Sequence, residues 1–281
     1  MRKLARALCP VALLSAALAL AQPAVVEAVQ YPAWLERGGH AVPLTPGLQL
    51  EARDRLRTGG NARVRLKLAE GSAVKLGENA QFVIERAENR GVFRATFAVI
   101  AGAFRFTTRS VGRARDVSIK VKHVTAGIRG TDLWGKSTGE RDLVCLLEGK
   151  ITVGSQGHPT VTLDQPLDFY QKPRDGIPEV AKVDARQVEE WSRETEISAD
   201  GAAAGPGGRW RVVAAVNPKR DDAMALRGML RGAGYPAEVV AKEGHFLVQV
   251  GGLSGEPQAR ALMANLRGMK GVALPTVHEG P

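Results

Sequence analysis

The sequence contains little cysteine, few aromatic residues and, beyond its first 21 residues, no long apolar run. Cys9 and Cys145 are its two cysteines, and Phe, Trp and Tyr together make up 5% of the 281 residues. Cys145 has no disulfide partner once the first 21 residues are removed, and the apolar residues 143–147 around it predict a buried, unreactive thiol. Because a membrane-spanning helix needs about 20 apolar residues, we expect no membrane anchor in the mature chain.

The sequence also lacks patterns that indicate catalysis or metal binding. It has no GxSxG element and no phosphate-binding loop, although a triad assembled in space would leave no such trace. The five histidines lack the spacing of metal ligands; they are His40, His123, His158, His245 and His278. We therefore predict a protein that is not an enzyme and that holds no metal ion and no cofactor.

The first 21 residues have the composition of a cleavable secretory signal peptide. Arg2, Lys3 and Arg6 precede an apolar run of about 13 residues, and small residues lead up to Ala21. The run is shorter than the roughly 20 residues that span a bilayer, so cleavage after Ala21 is favoured over a retained anchor. The sequence therefore predicts export from the cytoplasm.

Basic residues outnumber acidic ones by 39 to 29, which gives a formal net charge of +10. This mild bias fits an acidic partner, such as a wall polymer or lipid headgroups, and fits equally well a solvated surface that has no partner. About 260 residues remain after the signal peptide, enough for one large domain or two smaller ones. The net charge alone therefore does not distinguish a protein that binds an acidic partner from one that has no such partner.

Residues from about 29 to 170 form short alternating runs separated by glycines, which indicates an all-β domain. Apolar residues alternate with basic ones in residues 62–68 and 117–122, and we interpret the basic rows as solvated strand faces in preference to an anion-binding surface. Residues 95–99 and 143–147 are apolar on both faces and are predicted to be central strands. A sandwich and a solenoid-like stack both remain open, since only strand pairing distinguishes them.

The composition changes in residues 173–208, which we interpret as a connection between domains. Val180, Val183, Val188 and Trp191 fall on one helical stripe. We predict an amphipathic helix here, and we expect Trp191 to dock that helix on the neighbouring domain in preference to stacking on a sugar. The alanine- and glycine-rich residues 198–208 then predict a flexible tether.

The last part of the chain repeats itself at an offset of 36 residues. The matching positions are Val212 and Val248, Ala223 and Ala259, Ala225 and Ala261, Leu226 and Leu262, and residues 230–232 and 266–268. Each copy is an alternating strand followed by an amphipathic helix, at 221–232 and at 256–268, and residues 237–241 and 272–277 supply the strands that follow. The predicted order is β-α-β-β-α-β, a ferredoxin-like sheet backed by two helices.

Such a sheet leaves one face uncovered, and strand parity predicts which residues lie on it. The residues expected to face the helices are Trp210, Val212, Ala214, Phe246, Val248 and Val250. Arg211, Val213, Leu247 and Gln249 then face outward, and a slip of one residue would invert the assignment. A basic βαββαβ domain is also compatible with RNA recognition, but the base-stacking aromatic residues are missing, so we expect no nucleic-acid partner.

Several motifs in the first domain resemble those of a FecR domain. They are TPGLQL at 45–50, LRTG at 56–59, RLKLAEGS at 65–72, AGIRGT at 126–131 and LEGKITV at 147–153. The resemblance covers roughly half the chain and implies an envelope β-domain that contacts another protein. FecR regulators also control a sigma factor through a cytoplasmic amino-terminal part. Here the signal peptide stands in that place, so we do not expect sigma-factor control.

The duplicated tail resembles a SPOR domain, on WRVVAA at 210–215, the helix at 221–232, GYP at 234–236 and FLVQVGGL at 246–253. The resemblance implies binding to peptidoglycan glycan strands that have lost their stem peptides, across the open sheet face. The candidate glycan-binding residues are therefore Arg211, Val213, Leu247 and Gln249. The family's glutamine on the first strand is absent, since Val213 and then Ala215 stand there, so the face is more apolar than in the family.

The sequence predicts four segments: a signal peptide at 1–21, a FecR-like β domain at 22–172, a helix and linker at 173–208, and a SPOR-like domain at 209–281. Two hypotheses of function remain. In the first, a non-catalytic periplasmic protein binds glycan strands through its tail and presents its β domain to an envelope protein. In the second, the β domain is a signalling or assembly module that acts through protein contacts, and the tail only localises it.

Overall fold

The computed structural model describes residues 22–108, 115–128 and 130–280; the predicted signal peptide lies outside them. The β-rich first part contains β1 (Ala24–Gln30), β2 (Ala33–Arg37), β3 (His40–Pro43), β4 (Gln49–Leu50), β5 (Arg55–Thr58), β6 (Arg63–Leu68), β7 (Ala73–Leu76), β8 (Gln81–Arg90), β9 (Val92–Thr107), β10 (Arg115–Val121), β11 (Val124–Ile128), β12 (Asp132–Ser137), β13 (Arg141–Glu148), β14 (Ile151–Ser155), β15 (Val161–Leu163), β16 (Asp168–Pro173) and β17 (Glu179–Lys182). After it come α1 (Ala185–Arg193), β18 (Ala203–Ala204), β19 (Trp210–Asn217), α2 (Arg220–Gly232), β20 (Glu238–Lys242), β21 (His245–Leu253), α3 (Glu256–Leu266) and β22 (Thr276–Glu279).

The first domain consists of two sheets that the chain builds by winding back and forth between them. The first sheet has the order β4-β1-β6-β7-β9-β12-β13-β16-β17, and the second has the order β3-β2-β5-β8-β9-β10-β11-β14-β15. Apart from the edge strands β4 and β3, strand position follows chain order in both sheets. The domain is therefore a two-layer stack with the progressive winding of a solenoid, which answers the question of topology that the glycine spacing left open.

The long strand β9 belongs to both sheets. Its first half pairs with β10 in the second sheet, and its last six residues pair with β12 in the first. The strand changes sheet at Gly102, which has φ +83° and where a Cβ atom would lie 2.5 Å from the Cα atom of Ala80. Only glycine combines this backbone conformation with so close an approach.

Apolar side chains from both sheets form one core, as the alternating patterns predicted. In β6, Val64, Leu66 and Leu68 are buried, and Arg63 and Arg65 lie between them on the other face. These basic residues are mostly neutralised locally: Arg65 Nε lies 2.7 Å from Glu27 Oε2, and Lys120 Nζ on β10 lies 2.6 Å from Glu85 Oε2. The side chains of Arg65 and Lys120 are partly exposed, as a solvated strand face requires, whereas that of Arg63 is only 13% exposed.

Helix α1 covers a smaller apolar cluster on the first sheet. Asp184 caps the helix by accepting a hydrogen bond from the Arg186 backbone N–H at 2.8 Å. Trp191 stacks on the fully buried Trp134 with ring centroids 4.7 Å apart, so it docks the helix as predicted. Cys145 belongs to the same cluster; burial raises the pKa of its thiol to about 12, which leaves almost no reactive thiolate at neutral pH. Val180 and Val183 differ from their prediction, because Val180 lies in β17 and Val183 lies between that strand and the helix.

The segment predicted to be a flexible tether is packed between the two domains. Ala202, Ala203 and Ala204 are all buried. Their strand β18 pairs with β1 at Val29–Ala204 and with β21 at Ala204–Leu253. A composition of small side chains is typical of a flexible tether, but small side chains also allow three strands to approach closely. In this structure the segment is a closely packed strand. The first sheet thus continues through β18 into the sheet of the second domain.

A second contact joins the domains at the end of α2. The Trp34 indole N–H donates a hydrogen bond to the carbonyl oxygen of Gly232 at 3.0 Å, and the Ala33 N–H donates to that of Gly234 at 3.3 Å. Gly234 has φ +86°, and a Cβ atom there would lie 2.8 Å from the Trp34 ring and 2.9 Å from Pro32. The Trp34 ring therefore packs directly on a backbone that only glycine can supply.

The second domain has the predicted βαββαβ order, and its four antiparallel strands are arranged as β20-β21-β19-β22. Both helices lie within a residue or two of their predicted bounds. The last strand starts at Thr276 and not at residue 272, because Gly268 and Gly271 adopt positive φ values and the chain turns between them. Among the described residues, none of the helices is long and apolar enough to cross a membrane.

The Trp34–Gly234 contact predicts that Gly234→Ala destabilises the protein. The new methyl group would meet the Trp34 ring and would force alanine into a left-handed conformation, which together cost about 1–3 kcal/mol. We expect a lower urea midpoint and faster proteolysis of residues 198–208. Gly228→Ala is the matched control, since no atom lies within 4 Å of the added Cβ in that helix, and it should be neutral or stabilising. Equal midpoints for the two variants would contradict the contact.

Candidate functional site

The second domain presents one sheet face that its helices leave uncovered. Helices α2 and α3 pack on the other face, where Val212, Val248 and Val250 are fully buried against Leu226 and Leu262. Strand pairing arranges the side chains of the uncovered face in four rows that run across the strands, and the exposed Lys242 and His245 form the row at one end. We call this surface the open face and describe it row by row.

The middle row of the open face is mostly polar and consists of Glu238, Gln249, Val213 and Thr276. The Gln249 side-chain amide donates a hydrogen bond to Glu238 Oε1 at 2.8 Å. That bond uses one of its two N–H groups, so the amide keeps a donor and its oxygen for a ligand. Val213 is only 5% exposed, because neighbours in its own row and in the next flank it. It forms the floor of the face and does not project from it.

The row on one side of it is apolar. Val240, Leu247 and Val216 are direct neighbours across β20, β21 and β19. Val216 is 56% exposed and Val240 39% exposed, an unusual degree of exposure for adjacent aliphatic side chains. This row provides a flat apolar strip between the middle row and the exposed pair Lys242 and His245.

The row on the opposite side is basic and small. It contains Gly251, Arg211 and His278, of which the last two are paired across β19 and β22. His278 Nε2 lies 2.8 Å from the Thr276 hydroxyl, which ties this row to the middle one. Arg211 forms no ion pair with any residue that the structure describes, so its guanidinium donors are available to a ligand.

All four candidate residues predicted for this site share the open face. Arg211, Val213, Leu247 and Gln249 lie on it together, as strand parity required. Their role in binding a ligand stays a prediction.

A β-bulge in β19 changes the parity beyond Val213. Val213 pairs with Gln249, but Ala215, not Ala214, pairs with Val248, so Ala214 is an extra residue. Both alanines therefore face the helices, and Val216 takes the outward position that alternation from Val213 assigns to Ala215. Simple alternation missed Val216 for this reason.

The rows combine apolar and hydrogen-bonding surface without a reactive group. Sugar rings have apolar C–H faces and polar edges, so an apolar strip beside amide, hydroxyl and guanidinium groups suits a neutral carbohydrate. No group of three or more metal-ligating side chains is brought together in the parts of the chain that the structure describes. The arrangement can bind and orient a ligand along the strands.

The fold and this face define a two-domain protein, an all-β module joined to a ferredoxin-like βαββαβ module. Comparison with family profiles identifies both parts: the FecR protein family matches residues 54–152, and the SPOR domain family matches residues 206–276. The chain is a FecR-domain protein with a carboxy-terminal SPOR domain. These are non-catalytic domain families; the SPOR domain supports peptidoglycan binding, and the FecR domain supports an envelope signalling module.

The solved structures that are similar to this chain include two crystal structures from Parabacteroides distasonis, each described as an anti-sigma factor. One is 10% identical and covers 69% of this chain and 97% of its own, and the other is 13% identical and covers 75% and 90%. Both have a TM-score of 0.42, which is too low to support an argument from either. Comparison with curated proteins finds no significant match.

The bulge at Ala214 predicts opposite outcomes for two adjacent substitutions. Ala215→Glu places a carboxylate against the helices and should lower the free energy of unfolding by about 3 kcal/mol or more. Val216→Glu places the same group in solvent and should change it by less than about 1 kcal/mol. Urea unfolding of the two variants measures both. If Val216→Glu is the more damaging one, β19 alternates regularly and the bulge assignment is wrong.

Proposed function

We propose that this is a non-catalytic periplasmic protein that binds peptidoglycan glycan strands across the open face of its SPOR domain. Arg211, Val213, Leu247 and Gln249 are the proposed contact residues. The observation that carries the proposal is the apolar row beside two polar rows on the uncovered side of a SPOR sheet. A glycan strand would lay sugar ring faces on the apolar row and hydroxyl or carbonyl oxygens against the polar ones.

The charges on the open face favour a neutral ligand. Arg211 and Lys242 lie in rows at opposite ends of the face, with Glu238 between them, so the described part of the face has no cluster of cations for phosphate groups. Nucleic acids depend on several such contacts for affinity, and the proposal therefore includes no nucleic-acid partner. A glycan stripped of its stem peptides is compact enough to lie flat on the face, whereas attached peptides would lift it away.

The periplasmic location is part of the proposal. It is supported by the signal-like composition of residues 1–21, with cleavage after Ala21, and by the presence of FecR and SPOR domains in one chain. Peptidoglycan lies in that compartment, so export is required for the proposed ligand to be met.

Cosedimentation of the chain without residues 1–21 with purified sacculi tests the proposal. We expect more protein in the pellet after an amidase has removed the stem peptides than with untreated sacculi. The double variant Leu247→Ala/Gln249→Ala should bind about tenfold more weakly, because it loses apolar contact and an amide donor.

The matched control is Arg227→Ala/Asn265→Ala, on the helical side of the same domain, which should bind like the original chain. Absence of enrichment in either pellet would refute glycan binding. If both double variants lose the same amount of binding, the ligand does not bind specifically at the open face.

We further propose that the FecR domain contacts another envelope protein. Ile177 and Val180, at the turn before β17 and on that edge strand, are 71% and 51% exposed. Exposed aliphatic residues beside the unpaired backbone of an edge strand are typical of a protein-interaction surface. This observation also favours the second hypothesis, in which the β domain carries the function and the SPOR domain localises it.

A photo-crosslinking residue at position 177 in cells tests that contact. We expect one dominant envelope protein to be captured from this position and much less from position 162, an exposed threonine on the far edge of the other sheet. If no protein is crosslinked from position 177 while this protein is still located at the wall, the proposed interaction surface is wrong.

A further inference from the structure

A cleft lies at the junction of the two domains, next to the open face. It has a volume of about 500 Å³ and is bounded by Thr45–Pro46–Gly47 of the FecR domain, by the connecting residues 205–208, and by Glu238 and Gly251 of the SPOR domain. Residues 45–47 connect β3 to β4, so the cleft has one wall from each domain.

The walls of the cleft consist mainly of glycine and proline. Gly47, Gly207 and Gly252 have positive φ, and a Cβ atom at any of them would meet no atom within 4 Å, so their backbones border open space. Pro46, Pro206 and Pro236 add flat apolar surface. A ligand can therefore approach the main chain closely and also find apolar contact.

One polar group at the cleft is accessible and has no hydrogen-bond partner among the described residues. It is the hydroxyl of Tyr31, whose ring is otherwise almost fully buried. Burial raises the pKa of this hydroxyl, so it stays protonated and able to donate. The hydroxyl can therefore donate a hydrogen bond to a ligand oxygen in the cleft.

Charge restricts the class of ligand. Among the described residues that line the cleft, Glu238 is the charged one, so the cleft has no cationic side chain that would bind a polyanion. A hydroxyl-rich neutral molecule fits a tyrosine hydroxyl, a carboxylate acceptor and apolar proline faces.

The cleft is continuous with the open face. Glu238 belongs to both, and it accepts the hydrogen bond of Gln249 at 2.8 Å. Gly251 likewise ends the row of Arg211 and lines the cleft. Leu247 and Gly251 are four residue steps apart on β21, about 14 Å along the strand, so a ligand longer than a few sugar units must leave the face at one end.

We propose that a glycan strand bound on the open face continues into this cleft and contacts the FecR domain at residues 45–47, so that both domains bind one strand. The inference rests on the proposed function of the SPOR domain. The pairing of β18 with both β1 and β21 holds the cleft walls together, which gives the composite site a fixed geometry before the ligand arrives.

Size-fractionated, peptide-free glycan strands test the proposal by titration against the chain without residues 1–21. Strands long enough to reach the cleft should bind about tenfold more tightly than strands that cover only the open face. Thr45→Trp fills the cleft and should remove this gain while leaving the affinity for short strands unchanged. Thr162→Trp, an exposed position on β15, is the matched control and should keep the gain.

Hydrogen exchange on the unmodified chain gives a second readout that needs no variant. Long strands should protect the amides of Gly47, Gly205, Gly207 and Gly208 in addition to those of β19 and β21, and short strands should protect only the latter. Short and long strands that bind equally, or a length gain that survives Thr45→Trp, would overturn the composite site and leave the proposed function standing. A chain that binds neither length would refute the proposed function itself.

Discussion

The backbone pairing of Ala203 and Ala204 is the constraint on which the arrangement of the whole protein depends. These two residues pair with β1 on one side and with β21 on the other, so a sheet of the FecR domain runs into the sheet of the SPOR domain. The Trp34–Gly232 hydrogen bond and the packing of Trp34 on Gly234 add a second contact at the end of α2. Because two separated contacts restrain rotation better than one, the domains meet as a defined interface and enclose a cleft.

The open face depends on the same interface for its surroundings. Its apolar row lies between the polar middle row and the exposed Lys242 and His245, and its Arg211 row, which includes Gly251, adjoins the cleft. A surface that combines apolar and polar rows suits a ligand that has both apolar and polar groups. The FecR domain therefore shapes the environment of the proposed glycan site even where none of its residues belongs to the open face.

Surface charge has a smaller role than the net charge of +10 suggests. Many basic side chains of the β domain lie beside glutamates or aspartates, as Arg65 does beside Glu27 and Arg105 beside Asp132 at 2.7 Å. Pairs of this kind weaken the local positive field that a polyanion would need, and a solvent-exposed pair contributes only about 0–1 kcal/mol to stability. The hydrogen bond to Asp132 raises the pKa of Arg105, so that pair stays charged.

The sequence by itself determined the elements whose signals are local. The alternation of Val64, Leu66 and Leu68 specified a half-buried strand, and the 36-residue duplication specified the βαββαβ order and brought Arg211, Val213, Leu247 and Gln249 to one face. Only the tertiary structure decided the passage of β9 between sheets, the bulge at Ala214 and the burial of residues 202–204. The physical reason is that alternation and helical periodicity are properties of neighbouring residues, whereas these features arise from pairing between distant strands. Alanine and glycine suit a free tether and a tightly packed strand equally well, and only the strands on either side select between them.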